Sequence, residues 1–206
     1  MSPLETLGFA LGTSFASGLN VYATVAAAGL FQRLGIVRLP DALQVLANPF
    51  VLGIAIALFV IEFIADKIPY VDSAWDAAHT FIRPPAAAVM AYSAFSQVPE
   101  EWKVGAALLA GGVALTSHGA KATTRAAANT SPEPVSNWTL SILEDGLAVF
   151  LAWMAAAHPI LTAGIVVVLV ILAVLLIWKL FGYLRLLRDK LRQWRARPTT
   201  PPAGAV

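Results

Sequence analysis

Cysteine is absent from the sequence, which excludes disulfides, thiolate metal sites and cysteine nucleophiles while leaving the redox compartment open. Charge is scarce. Only 13% of the 206 residues are Asp, Glu, Lys or Arg, about half the share found in an ordinary soluble domain. Residues 1–12 carry Glu5 and nothing basic, so the positive stretch that opens a cleaved signal peptide is missing and this segment reads as part of a first helix. Apolar residues come in unbroken runs instead of alternating with polar ones, which argues against a membrane barrel.

What is present in excess is apolar side chain, at 58% of the chain. That much apolar surface needs lipid to face. Several windows run for about 18 residues almost without charge, the length that an α-helix needs to cross roughly 30 Å of hydrocarbon. The expected fold is therefore an all-α, polytopic membrane bundle of about six transmembrane helices, drawn over residues 4–30, 49–65, 84–98, 104–122, 138–157 and 160–181. The third is short, so it either crosses or re-enters; its Pro84-Pro85 suits a helix N-terminus, where the missing amide protons have no intrahelical partner. His158-Pro159 alone joins the last two, which makes them antiparallel neighbours. Residues 1–182 then form the bundle, 183–197 a basic amphipathic cytoplasmic helix and 198–206 a disordered tail.

Orientation follows from where the charge sits. Seven of the fourteen Lys and Arg residues lie between Lys179 and Arg197, a cytoplasmic anchor pattern suited to anionic lipid headgroups. Six crossings counted back from it put both termini in the cytoplasm, with residues 66–83 on that side and the Glu100-Glu101 turn outside. Arg33 and Arg38 then fall outside, against the rule. A re-entrant third span sends the N-terminus outside instead. The chain also repeats itself weakly: Gly12, Ser17, Thr24, Ala26, Ala27 and Ala28 recur 100 residues on as Gly112, Ser117, Thr124, Ala126, Ala127 and Ala128. Two three-helix halves, 4–98 and 104–181, would enter the membrane from opposite sides, the inverted-repeat plan common among transporters.

Two stretches place polar groups within apolar runs. In the first helix, Thr13 to Asn20 gathers small and polar residues, and Gly18 with Asn20 weakens helix propensity. Either the helix breaks there and its freed backbone lines a cavity, or Gly8, Gly12 and Ala16 give a small-residue face for close packing. Its counterpart in the fourth helix holds Ser117, His118, Gly119, Lys121 and Arg125, of which His118, Lys121 and Arg125 share one face. A cationic stripe at membrane depth costs about 2.5–3.5 kcal/mol per Lys or Arg, so it needs acidic partners or an anionic ligand unless the side chains snorkel to headgroups. Glu62 and Asp66, one turn apart, and Glu144 with Asp145 are the candidate partners. Asp72, Asp76 and His79 align along one face after Pro69, which fits either a divalent-cation site or a solvated interfacial helix. Ser136 or Asn137 is placed to cap the fifth helix after Pro132 and Pro134. Leu184, Leu187, Leu191 and Trp194 alternate with arginines in the basic tail.

Ala16 to Asn20, Ala65-Asp66-Lys67-Ile68-Pro69 with Val71-Asp72-Ser73, His79 to Pro84 and Asn129 to Pro134 together resemble a bacterial membrane family known as domain of unknown function 4126. The resemblance covers roughly residues 4–158. It implies a membrane protein, here of the bacterial inner membrane with a cytoplasmic C-terminus, whose polar motifs belong to a site, and it implies no substrate. The expected function is a small transporter or channel for a polar or ionic solute, an anion being slightly favoured by the cationic stripe. The solute would bind where two broken helices meet, at Ser17, Gly18, Asn20, Ser117, His118 and Gly119, with Lys121, Arg125, Glu62, Asp66 and Glu144 supplying charge. The alternatives are an intramembrane enzyme acting on a lipid-linked phosphate through His118 and Arg125, although no hydrolase motif is present, or a structural subunit without substrate. The sequence requires no cofactor, metal or nucleic acid, and it leaves a homo-oligomer open.

Overall fold

A computed structural model describes residues 1–68, 70–129 and 134–195, and within them every regular element is helical. The order is α1 (Pro3–Leu19), α2 (Val21–Arg33), a 3-10 segment η1 (Asp41–Ala47), α3 (Pro49–Ala65), α4 (Val71–His79), α5 (Arg83–Ala94), α6 (Glu100–Ala128), α7 (Pro134–Ala157) and α8 (Pro159–Arg195). Among the described residues two helices are long and apolar enough to cross a membrane, Val135–Ala157 and Pro159–Lys190, with mean hydropathies of 1.6 and 3.4. A third candidate arises if η1 and α3, bent by 68°, count as one span. The expected six spans are thus not all present as long apolar helices: α5, at 12 residues, reaches only about 18 Å at 1.5 Å per residue.

The largest departure concerns the first span. Residues 4–30 are not one crossing. The helix breaks at Asn20, whose backbone is extended (φ −154°, ψ 105°), and α2 turns back along α1. Phe9 of α1 consequently packs in one core cluster with Ala28 of α2 and with Val37 and Leu39 beyond it. The same fold-back brings Met1, Pro3 and Thr6 to one rim with Arg38, Leu39 and Asp41, and with the chain after α5 from Phe95 to Val98. The fourth span behaves differently, because α6 runs for 29 residues without a break. The two proposed halves therefore do not match element by element.

Helix starts follow local chemistry. Ser2 and Glu5 form a capping box at α1, Asn48 accepts from the Phe50 amide at α3, and the two prolines of α5 sit in its first turn, as their missing amide protons allow. Helix α7 already begins at Pro134, so Ser136 and Asn137 lie inside it and do not cap it. At the opposite end of the bundle from the Asn20 turn, Glu100 opens α6, bonded by the Tyr92 hydroxyl and paired with Lys103 at 3.3 Å. The Tyr92 hydroxyl holds the Glu100 carboxyl below its ordinary range.

Close packing of small residues fixes α1 in the middle of the bundle. A Cβ on Gly8 would meet the Pro159 carbonyl oxygen at 2.1 Å, and one on Gly12 would meet Ala155 and Thr162 side chains at 2.6 Å. These contacts hold the start of α1 against the α7–α8 turn. Helix α8 continues unbroken from the apolar run into the basic segment, where a separate amphipathic helix over 183–197 was expected. Along its apolar window only 17% of the helix is buried, so most of it faces outward, as a lipid-facing span should. The side chains of Leu184, Leu187, Leu191 and Trp194, residues 130–133 and the tail 198–206 lie outside what is described.

Candidate functional site

The Asn20 break leaves the last carbonyls of α1 without helical partners, and such groups need donors when buried. Two cations supply them. Arg83 Nη1 donates to the Gly18 oxygen at 3.0 Å, and Lys121 Nζ donates to the Leu19 oxygen at 3.2 Å. Positive charge at a helix C-terminus is also favoured by the helix dipole. On the other side of the break Asn20 caps α2, its Oδ1 accepting from the Ala23 amide at 2.8 Å. Its Nδ2 donates to Asp145 Oδ1 at 2.8 Å. One residue thus joins the helix break to α7.

Around this turn the structure assembles a buried charge cluster. Arg83 Nη2 lies 2.5 Å from Glu62 Oε1 and 3.4 Å from Asp76 Oδ1. Lys121 Nζ lies 2.6 Å from Asp66 Oδ2, 3.5 Å from Glu62 and 3.8 Å from Glu144. Arg125 pairs with Glu144 Oε2 at 2.6 Å and with Asp66 Oδ2 at 3.4 Å, and its Nη1 lies 3.8 Å from Asp72. Five carboxylates therefore share three cations, and all eight side chains are nine-tenths buried or close to it. The acidic excess shows in the hydrogen bonds. Glu62 Oε2, Asp66 Oδ1 and both carboxylate oxygens of Asp76 are buried without a hydrogen-bond donor.

His118 sits inside this cluster in a defined tautomer. Its Nδ1 faces Arg83 Nη1 at 2.8 Å, and a guanidinium only donates, so Nδ1 accepts. Its Nε2 lies 3.1 Å from the Asp76 carbonyl oxygen and 2.9 Å from the Thr80 hydroxyl, which places the proton on Nε2. Both ring nitrogens are engaged. Asn129 closes the lower edge, donating to both Asp72 oxygens at 3.0 and 3.2 Å and to Ser73 at 3.0 Å, while Asn137 Nδ2 donates to Asn129 Oδ1 at 3.1 Å.

Of the residues expected in the site, Glu62, Asp66, His118, Lys121, Arg125 and Glu144 come together here, with Asn20 at the adjoining turn. Ser17 Oγ turns to Met90 Sδ of α5 at 3.9 Å, while Gly18 and Ser117 lie one step away, at the α1–α6 crossing. There a Cβ on Gly18 would stand 1.8 Å from Ser117 Oγ and 2.3 Å from the Ala114 oxygen, and Ser117 Oγ donates to the Phe15 oxygen at 2.9 Å. Gly18 and Ser117 bring the two helices into contact. Gly119 faces α8, where its Cβ would touch Ile177 at 3.4 Å.

Four participants were missed as site residues: Asp72, Asp76, Arg83 and Asn129. The face shared by Asp72, Asp76 and His79 was legible, but no three His, Asp or Glu side chains among the described residues are arranged to hold a metal ion. Asp72 bonds Asn129, Asp76 turns to Arg83, and His79 stacks on Trp75 at 4.8 Å and meets the Tyr22 hydroxyl at 3.2 Å. Arg83 had a signal too, in the motif that ends on Pro84. The motif marks the segment, but nothing in it points to the Gly18 carbonyl that Arg83 meets.

The sequence model of one family matches residues 7–179, from α1 nearly to the end of the apolar part of α8. The chain belongs to the family described as Domain of unknown function (DUF4126). The DUF4126 match takes in every cluster residue, and the motifs at Asn20, Asp66, Asp72, Arg83 and Asn129 converge on that cluster from five separate segments. No curated protein and no solved structure matches the chain.

Proposed function

We propose that this DUF4126 protein is a small multi-pass membrane transporter or channel whose buried charge cluster binds and passes an ionic solute. The observation that carries the reading is the imbalance: five buried carboxylates against three cations, with four carboxylate oxygens lacking donors. An uncompensated buried charge is expensive, so a purely structural network should balance itself. The cationic stripe of α6, which by itself favours an anion, is consumed by Glu62, Asp66 and Glu144. Arg83 Nε and Arg125 Nε are also left without acceptors, but each belongs to a guanidinium already paired with a carboxylate. The excess of charge is acidic, so the solute is a proton or another small cation. A discontinuous helix ending among charged groups is also how transporters build midplane ion sites.

Helices alternate in direction from the rim near Met1 to the cluster. With the basic C-terminal segment in the cytoplasm, the cluster lies toward that side, while the N-terminus and the Glu100 turn lie outside in the inner membrane of a bacterium. A structural subunit is the competing reading, favoured by one observation, that each cluster cation already has carboxylate partners. An intramembrane phosphate enzyme gains nothing from His118, whose ring nitrogens are both engaged. The test is flux in proteoliposomes carrying a pH-sensitive dye or a sodium or potassium gradient. Wild type should dissipate one of these gradients faster than protein-free vesicles. Asp76→Asn removes an acceptor that receives no hydrogen bond but pairs with Arg83 at 3.4 Å and Lys121 at 3.7 Å; the protein that folds, as checked by melting temperature, should lose the flux. Unchanged flux in that variant removes Asp76 from the site, and silent wild-type vesicles remove the transport reading.

A further inference from the structure

At the end of the bundle away from the charge cluster, the rim where α1 starts, the chain before η1 passes and α5 ends surrounds a cavity of about 580 Å³. Thr6, Arg38, Asp41, Ser96 and Gln97 give it polar walls. Arg38 makes no hydrogen bond or ion pair with any described residue, and in the orientation proposed above it stands on the side where the positive-inside rule disfavours basic residues. Asp41 spends one carboxylate oxygen on Gln44 Nε2 at 3.1 Å, leaving the other open. Directly alongside, sharing Pro3 and Phe95, a second cavity of about 510 Å³ is walled by Leu4, Leu7, Trp102, Ala106 and Leu109. A polar-walled cavity beside an apolar one matches the two ends of an amphiphile.

We infer that the two cavities hold one phospholipid with an amine-bearing headgroup. The phosphate meets the Arg38 guanidinium, whose fork of donors matches phosphate oxygens. The ammonium meets Asp41, and one acyl chain lies between α1 and α6 against Leu4, Leu7 and Leu109. The pairing of one cation with one carboxylate in the same chamber selects a zwitterionic head over an anionic one. The apolar chamber selects a lipid over a soluble phosphoamine. This site is separate from the charge cluster and does not depend on what the cluster does.

Native mass spectrometry of the purified full chain, in micelles doped with equal synthetic phosphatidylethanolamine and phosphatidylglycerol, tests it. Wild type should retain one phosphatidylethanolamine per chain. Arg38→Gln should weaken retention by about tenfold, the loss of roughly one charge-assisted contact. Asp41→Asn should abolish the preference between the two lipids, and Leu109→Trp, which fills the apolar chamber, should lower retention of both. These positions are at the surface, and melting temperatures equal to wild type confirm folding. Equal retention by wild type, Arg38→Gln and Leu109→Trp overturns the site. A preference for phosphatidylglycerol overturns the zwitterionic head, and displacement by soluble phosphoethanolamine overturns the lipid.

Discussion

The stretches around Gly18 and around His118 lie 100 residues apart and share Gly, Ser, Thr and Ala at matching positions, yet one is a hairpin and the other a straight helix. The difference sits at single residues. Asn20, which prefers caps and turns, corresponds to Ala120, the best helix former, and Gly18 corresponds to His118. The break also needs help from afar, because its exposed carbonyls are taken by Arg83 and Lys121, 65 and 102 residues distant in sequence. In α6 the equivalent carbonyls stay inside the helix, and its side chains serve the break in α1. The straight helix, through Lys121, and α5, through Arg83, together supply the charge that lets the counterpart of α6 bend.

Replacing a cation should break this arrangement most severely. Arg83→Gln removes the donor to the Gly18 carbonyl and leaves Glu62 and Asp76 uncompensated, so stability should fall by about 3–5 kcal/mol, read as a lower melting temperature in detergent. Asn20→Ala should cost less: about 1 kcal/mol for the lost cap and about 1–3 kcal/mol for the donor withdrawn from Asp145. The reciprocal change, Ala120→Asn, should leave α6 helical while costing about 0.7 kcal/mol of helix propensity and about 1–3 kcal/mol for an amide placed in the apolar cluster where Ala120 packs. Helix content lost in that variant, read by circular dichroism, would show that Asn alone breaks the helix without the distant donors. Glycines sharpen the comparison further. Gly18→Ala drives a methyl into Ser117 and the Ala114 carbonyl and should cost about 1–3 kcal/mol. Gly112→Ala enters open space and should stabilise by up to about 1 kcal/mol.

The sequence marks a place where the first helix can break, since Gly18 and Asn20 lower helix propensity locally, but it allows close packing of an unbroken helix equally. It does not show that the chain turns back, because the turn is stabilised by residues from α5 and α6 that only the fold brings near. The shared face of His118, Lys121 and Arg125 and the one-turn spacing of Glu62 and Asp66 follow from helical geometry and are legible. Arg83 is not, because beside two prolines it reads as a helix start and its target is a backbone carbonyl, which leaves no pattern in sequence. Asp72 and Asp76 were visible as a pair but not as partners of a cation from another segment. The fold class was legible from composition, whereas the count of crossings was not: a 27-residue apolar window has the length of a span whether or not it folds at its middle.

The central claim is that the buried charge cluster works on a solute and is more than the bundle's internal support. Arg125 and Glu144, 2.6 Å apart, separate the two roles. Arg125→Gln alone should lower both melting temperature and cation flux in proteoliposomes, since Glu144 and Asp66 lose their partner. Adding Glu144→Gln should restore much of the melting temperature, because no lone charge remains at that pair, while flux stays lost. A double variant that is stable and conducts like wild type would contradict the claim and leave the cluster as support alone.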